Sequence, residues 1–182
     1  MNISILGAGA WGTALAVALA SRHRVTLWAR DPAQIERMRD DRRNHSYLPQ
    51  VELPARLALT ADLAPACEAA ELLLIAVPVA GLRETCIRVR APQVRAPLVW
   101  LCKGFEQVSG LLPHQVVEET LGAARTDCGA LSGPSFALEV ARGLPCALTL
   151  ASKDQGFARR TALALHGGRI RVYFSGDLTG VE

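Results

Sequence analysis

Three glycines, Gly7, Gly9 and Gly12, stand in "GAGAWG", directly after the apolar run "NISIL" and before the alanine-rich "TALAVALA". Glycine weakens both strands and helices, so three of them at this spacing need a reason. The chemical reason is a turn in which bare backbone meets an anion. Between a strand and a helix, the first glycine of G-x-G-x-x-G permits the tight turn. The second lets a pyrophosphate approach the main chain, and the third lets the helix pack closely on the strand. Unbonded N–H groups at the helix start, around Ala10, Trp11 and Gly12, then face the phosphates with the helix dipole behind them. These residues point to a dinucleotide. A glycine turn that serves packing alone is the plainer alternative.

Other candidates stand where later strands end. "LWARDP" puts Arg30 at the end of a second strand, with Asp31 beside it as a helix cap. An acid near this position grips the ribose 2′-hydroxyl of NAD, whereas an arginine accommodates the 2′-phosphate of NADP. Arg30 therefore favours acceptance of NADP(H), and the nearness of Asp31 leaves NAD(H) open. "VWLCKGFE" offers Lys103, one of only two lysines, whose compact ammonium suits a substrate hydroxyl or phosphate as well as it suits open water. "SGPSFALEVARG" offers Gly133 and Ser135 at a strand-to-helix turn. Proline before Ser135 departs from the G-x-S-x-G of hydrolases. A helix cap by the Ser135 hydroxyl is the simpler reading of that stretch.

The elements that must position these residues alternate along the chain. "NISIL", "RVTLWA", "ELLLIAVP", "APLVWLCKG", "CGALS", "CALTLAS" and "IRVYFS" read as short buried strands. Helices are expected between them, from about Trp11 to Ser21, through "DPAQIERMRDD" and "GLRETCIRVR", and through "LLPHQVVEETLG" and "DQGFARRTALALHG". "RNHSYLPQVELP", polar and punctuated by proline, reads as a loop before a further strand near "LALT". Alternation over the whole length predicts a doubly wound α/β domain over residues 1–182, with parallel strand pairing.

Composition narrows the function. A chain of 182 residues, 50% hydrophobic and 20% charged, has the balance of one ordinary globular domain. Five scattered cysteines without paired spacing argue against structural zinc and a disulfide framework. None of the four histidines has a metal-ligand spacing, and surface or loop positions are expected for them. The net charge of +3 suits a phosphorylated small molecule, and "RMRDDRR" reads as a solvated helix face, not a nucleic-acid patch. No apolar run is long enough to span a bilayer. The start, "MNISILGAGA", enters the glycine turn without a basic leader, which points to the cytoplasm. No Walker lysine follows the glycines, against a nucleoside triphosphatase.

Taken together, "GAGAWGTALA", "LWARDP", "NHSYLP", "AVPVAGLRE", "LVWLCKGFE" and "LSGPSFALEVARGLPCALTLAS" resemble the bacterial NAD(P)-dependent glycerol-3-phosphate dehydrogenases. The resemblance runs from Asn2 to the last residues and implies a Rossmann-type cofactor domain. It implies reversible reduction of dihydroxyacetone phosphate to sn-glycerol 3-phosphate, for phospholipid synthesis, by a cytoplasmic homodimer. By motif, Ala10, Trp11 and Gly12 would meet the pyrophosphate of NAD or NADP, and Arg30 its adenosine end. Tyr47 and Ala137 would add cofactor contacts, Lys103 would touch both nicotinamide and substrate, and Gly133 and Ser135 the substrate. The family's proton-transferring lysine lies on a helix beyond "TGVE", and its helical substrate domain follows. The chain is therefore expected to bind the cofactor with negligible turnover. Two other readings remain at this point: a related reductase of the ketopantoate or hydroxy-acid type, and a non-catalytic nucleotide-binding module.

Overall fold

A computed structural model describes residues 1–90 and 94–182. Its strands are β1 (Asn2–Leu6), β2 (Arg24–Trp28), β3 (Arg43–Asn44), β4 (Leu48–Glu52), β5 (Ala58–Thr60), β6 (Leu72–Ile75), β7 (Leu98–Trp100), β8 (Cys128–Ser132), β9 (Cys146–Ala151) and β10 (Ile170–Ser175). The helices are α1 (Ala10–Leu19), α2 (Pro32–Asp41), α3 (Leu63–Glu68), α4 (Val79–Arg90), α5 (Pro113–Leu121), α6 (Ala137–Ala141), α7 (Gln155–Leu165) and α8 (Leu178–Val181). One sheet takes the order β10-β9-β8-β7-β6-β1-β2-β5.

The apolar runs are continuous because the central strands are covered on both faces, as parallel sheets require. Successive side chains of a strand point to opposite faces, and the core divides accordingly. Ile3, Ile5, Leu72, Leu74 and Val99 face a layer containing Leu15, Ile35, Met38, Val140 and Phe157, from α1, α2, α6 and α7. Leu6, Leu73, Ile75, Leu98 and Trp100 face the opposite layer, with Ala66, Leu82, Val116 and Leu178 from α3, α4, α5 and α8. The doubly wound α/β architecture expected from alternation is the one observed.

Two expectations need correction. The stretch from Arg43 to Glu52 is no plain loop: β3 and β4 pair antiparallel, with a register irregularity between Arg43 and Asn44. Pairing is also not parallel throughout, because β9 runs antiparallel to β8, with β10 parallel to β9. The cause is local. α6 has five residues, a rise of about 7.5 Å, too little to carry the chain back to the other edge of the sheet. The chain re-enters at the edge it left, and β9 runs back. The segment after β10 closes into α8 under an Asp177 cap whose Oδ1 accepts the Gly180 N–H at 2.9 Å.

Burial pushes the Cys67 and Cys86 thiols up to about 11 and that of Cys102 up to about 12. These side chains are protonated, small and apolar at neutral pH, as expected of packing cysteines. No described helix is long and apolar enough to cross a membrane.

The glycine turn is the tightest part of the fold. A Cβ on Gly12 would land on the Gly7 carbonyl oxygen, whereas one on Gly9 would meet nothing within 4 Å. Gly12→Ala should therefore lower the unfolding free energy by about 1–3 kcal/mol in urea titrations, while Gly9→Ala should change it by less than about 1 kcal/mol.

Candidate functional site

β1, β2, β6, β7 and β8 are mutually parallel, so the segments that follow them leave the sheet at one edge. The first connections lead from β1 to β2 and β5, and the chain then crosses back to β6 on the other side of β1. Strand order reverses between β1 and β6. Open α/β sheets take their ligands at such a point. A groove of about 420 Å³ opens there, between the glycine turn, the exits of β2 and β6, and α4. Gly7, Gly9, Arg30 and Tyr47 line it, together with Trp28, Gln34, Val77, Thr85 and Arg88.

The turn is built by close approach. Gly7 has φ +123°, and a Cβ there would stand 2.5 Å from the Ala76 carbonyl oxygen at the end of β6. Its N–H donates to Trp28 O at 2.9 Å, tying the turn to β2. Gly9 precedes α1 as its cap, with no side-chain hydrogen bond, and Thr13 N–H is the first to bond back, to Gly9 O at 3.0 Å. The N–H groups of Ala10, Trp11 and Gly12 are thus left without a backbone acceptor among the described residues. The first turn of α1 also holds no acidic side chain. Partial positive charge and open donors together favour an anion.

Two side chains that sequence reasoning did not single out hold the turn in place. Ala8 O accepts from Gln34 Nε2 at 3.0 Å and from Asn44 Nδ2 at 2.9 Å. Asn44 also donates to Thr13 Oγ1 at 2.8 Å and is buried. Its presence in the quoted "NHSYLP" was the only signal, since nothing in spacing connects β3 to a turn more than thirty residues away.

At the exit of β2 the cap expectation for Asp31 holds: its Oδ1 accepts the Ala33 N–H at 2.9 Å, and Oδ2 lies 3.8 Å from Arg37. Arg30 is exposed, with Nη1 3.6 Å from Glu84 Oε2 on α4. Tyr47 stands at the rim, 55% exposed.

Ala10, Trp11 and Gly12 follow the turn but do not line this groove, nor do Lys103, Gly133, Ser135 and Ala137, which leave the same edge of the sheet from β7 and β8. Lys103 is exposed. The loop that carries it is held on both sides. Gly104, at φ +86°, donates its N–H to Glu182 O at 3.0 Å. The buried Glu182 carboxylate accepts from Trp100 Nε1 at 2.8 Å and from His114 N at 2.9 Å, and contacts His114 Nδ1 at 2.6 Å. Further along, Arg83 makes a bidentate contact with Glu106, at 3.0 Å from Nε to Oε1 and 2.8 Å from Nη2 to Oε2.

Gly133 has a packing reason of its own: a Cβ there would stand 2.5 Å from Ala147 O of β9. Ser135 differs from the expected cap. Phe136 occupies the cap position of α6, and Ser135 Oγ is buried with no hydrogen-bond partner. Such a hydroxyl is costly unless a ligand satisfies it. Ala137 begins α6 and is half-buried. The surface-or-loop expectation for the histidines fails at His114, which lies in α5 and pairs with Glu182; His23 does lie in the connection between α1 and β2, half-buried, with its pKa pushed down first by burial and then by Arg22. Among the described residues no cluster of histidine, cysteine and acidic groups is arranged to hold a metal ion.

Hydrogen bonds from Arg83, then from Ser109, hold the Glu106 carboxyl below its ordinary value of 4.5. The stability it adds is complete above that value and is lost as pH falls through the lowered one. Urea titrations of wild type and Glu106→Gln should thus differ at about pH 7 and draw together as pH falls below the ordinary carboxyl value.

A family model described as the N-terminus of NAD-dependent glycerol-3-phosphate dehydrogenase matches residues 2–158. Glycerol-3-phosphate dehydrogenase [NAD(P)+] of Aromatoleum aromaticum is 52% identical over 182 residues, covering 100% of this chain and 55% of that relative. The crystal structure of glycerol-3-phosphate dehydrogenase from Coxiella burnetii matches with a TM-score of 0.90 at 38% identity, again over 100% of this chain and 55% of the other. A UDP-glucose dehydrogenase from Pyrobaculum islandicum, at 20% identity and TM-score 0.68 over 98% of this chain and 46% of that one, shares the fold alone. The chain spans about half the length of the curated relatives it matches.

Proposed function

The chain belongs to the NAD-dependent glycerol-3-phosphate dehydrogenase family, and we propose that residues 1–182 form the domain that binds NAD(H) or NADP(H) for this reaction. One observation carries the reading. The space over Gly9 is open, and the N–H groups of Ala10, Trp11 and Gly12, which follow it in the chain, have no backbone acceptors among the described residues. A bridging diphosphate fits that cradle and supplies the missing acceptors. Arg30 takes the adenosine end and Tyr47 closes the rim.

When bound, the nicotinamide supplies or accepts the hydride that interconverts dihydroxyacetone phosphate and sn-glycerol 3-phosphate. The chain's own groups bind and orient. Lys103, held through Gly104 and Glu182, presents its ammonium to the nicotinamide side and to a substrate oxygen, where positive charge stabilises a developing alkoxide. Ser135 Oγ gains a hydrogen-bond partner from the substrate, Gly133 lets the substrate approach the main chain, and Ala137 packs against the cofactor. Turnover, the phosphorylated substrate, homodimer formation and a cytoplasmic setting are proposed for the whole protein. The family match sets aside the ketopantoate and hydroxy-acid reductases.

Calorimetric titration of this chain with NADH and with NADPH tests the reading directly. At least one coenzyme should bind, and Gly9→Val, whose side chain enters open space and not the core, should weaken binding by at least about tenfold while the circular dichroism stays unchanged. Binding unaffected by Gly9→Val would overturn the assignment of the diphosphate to this turn.

A further inference from the structure

We propose that Arg30, Glu84 and Arg88 form a coenzyme selector at the β2 side of the groove. The two guanidiniums take the 2′-phosphate of NADP(H), and the Glu84 carboxylate competes for Arg30, which keeps NAD(H) acceptable. The proposal rests on the coenzyme reading above.

Asp31 lines the groove, but its Oδ1 is taken by the Ala33 N–H at 2.9 Å and its Oδ2 lies 3.8 Å from Arg37. Two guanidiniums share with it that wall of the groove. Arg30 reaches it from the end of β2, and Arg88 reaches it from α4. Arg88 does not hang free: its guanidinium lies 5.1 Å from the centre of the Trp28 ring. Trp28 is itself buried and anchored by its Nε1–H to Ala61 O at 2.9 Å. A planar cation stacked on a fixed ring is pre-oriented for a phosphate.

Glu84 lies one helical turn before Arg88, on the same side of α4, and lines the same groove. Its carboxylate lies 3.6 Å from Arg30 Nη1. A 2′-phosphate must displace it from Arg30 and tolerate its charge. A 2′-hydroxyl, being neutral, meets no such opposition. Glu84 therefore acts on one coenzyme and not the other.

The test is the pair of dissociation constants for NADPH and NADH, measured calorimetrically on wild type, Glu84→Gln, Arg88→Met and Arg88→Lys. Met keeps apolar cover on Trp28 without charge; Lys keeps the charge. Glu84→Gln, at an exposed position that folding does not depend on, should tighten NADPH about fivefold and leave NADH within about twofold. Arg88→Met should weaken NADPH roughly tenfold with little effect on NADH, and Arg88→Lys should recover most of that loss. If wild type binds both coenzymes and Glu84→Gln leaves their ratio unchanged, or Arg88→Met weakens both equally, the selector is wrong and the coenzyme reading stands. If wild type binds neither, both fall together.

Discussion

Everything at this site depends on how closely three backbone segments approach one another at the end of β1. Gly12 sits against the carbonyl of Gly7, and Gly7 sits against the carbonyl of Ala76. No side chain fits between them. The consequence is that α1 starts hard against the edge of the sheet, beside the groove that opens between β1 and β6. Gly9, by contrast, has no neighbour to satisfy. Two glycines serve the protein's own packing, and the one between them leaves the space over the turn open.

A turn made of glycines has little stiffness of its own, and the fold supplies it from a distance. Gln34 on α2 and Asn44 on β3 converge on the single carbonyl of Ala8. The short antiparallel pair β3–β4 thereby has a purpose that its exposed surface does not suggest. The loop after β7 is treated similarly. Glu182 engages Gly104 with its carbonyl, and Trp100 and His114 with its carboxylate, while the Arg83–Glu106 pair ties the far end of the loop to α4. The side chains that would meet ligands remain exposed or unpartnered, and the ones that hold them are buried or half-buried and bonded.

Charge is distributed with the same division. Asp31 gives one oxygen to the cap of α2, and Arg30 and Arg88 line the same end of the groove. Glu84 then stands as the one carboxylate directly opposed to Arg30 among the described residues. Because both side chains are largely exposed, their attraction is weak and easily exchanged for another.

Local pattern was enough for much of this. Apolar runs spaced by amphipathic stretches imply a covered parallel sheet, and glycine spacing after the first run implies a turn open to an anion, because both are short-range consequences of backbone geometry. The cap at Asp31 and the exposed place of Arg30 after β2 were legible for the same reason. What sequence left undecided involves partners far apart in the chain. Asn44 reaching Ala8, Glu182 reaching Gly104, Ser135 left without a partner where a cap was expected, and the reversal of β9 next to β8 all depend on where distant segments meet. A residue's conformational preference is set by its neighbours along the chain; the bond it finally makes is decided only when folding brings the other half to it.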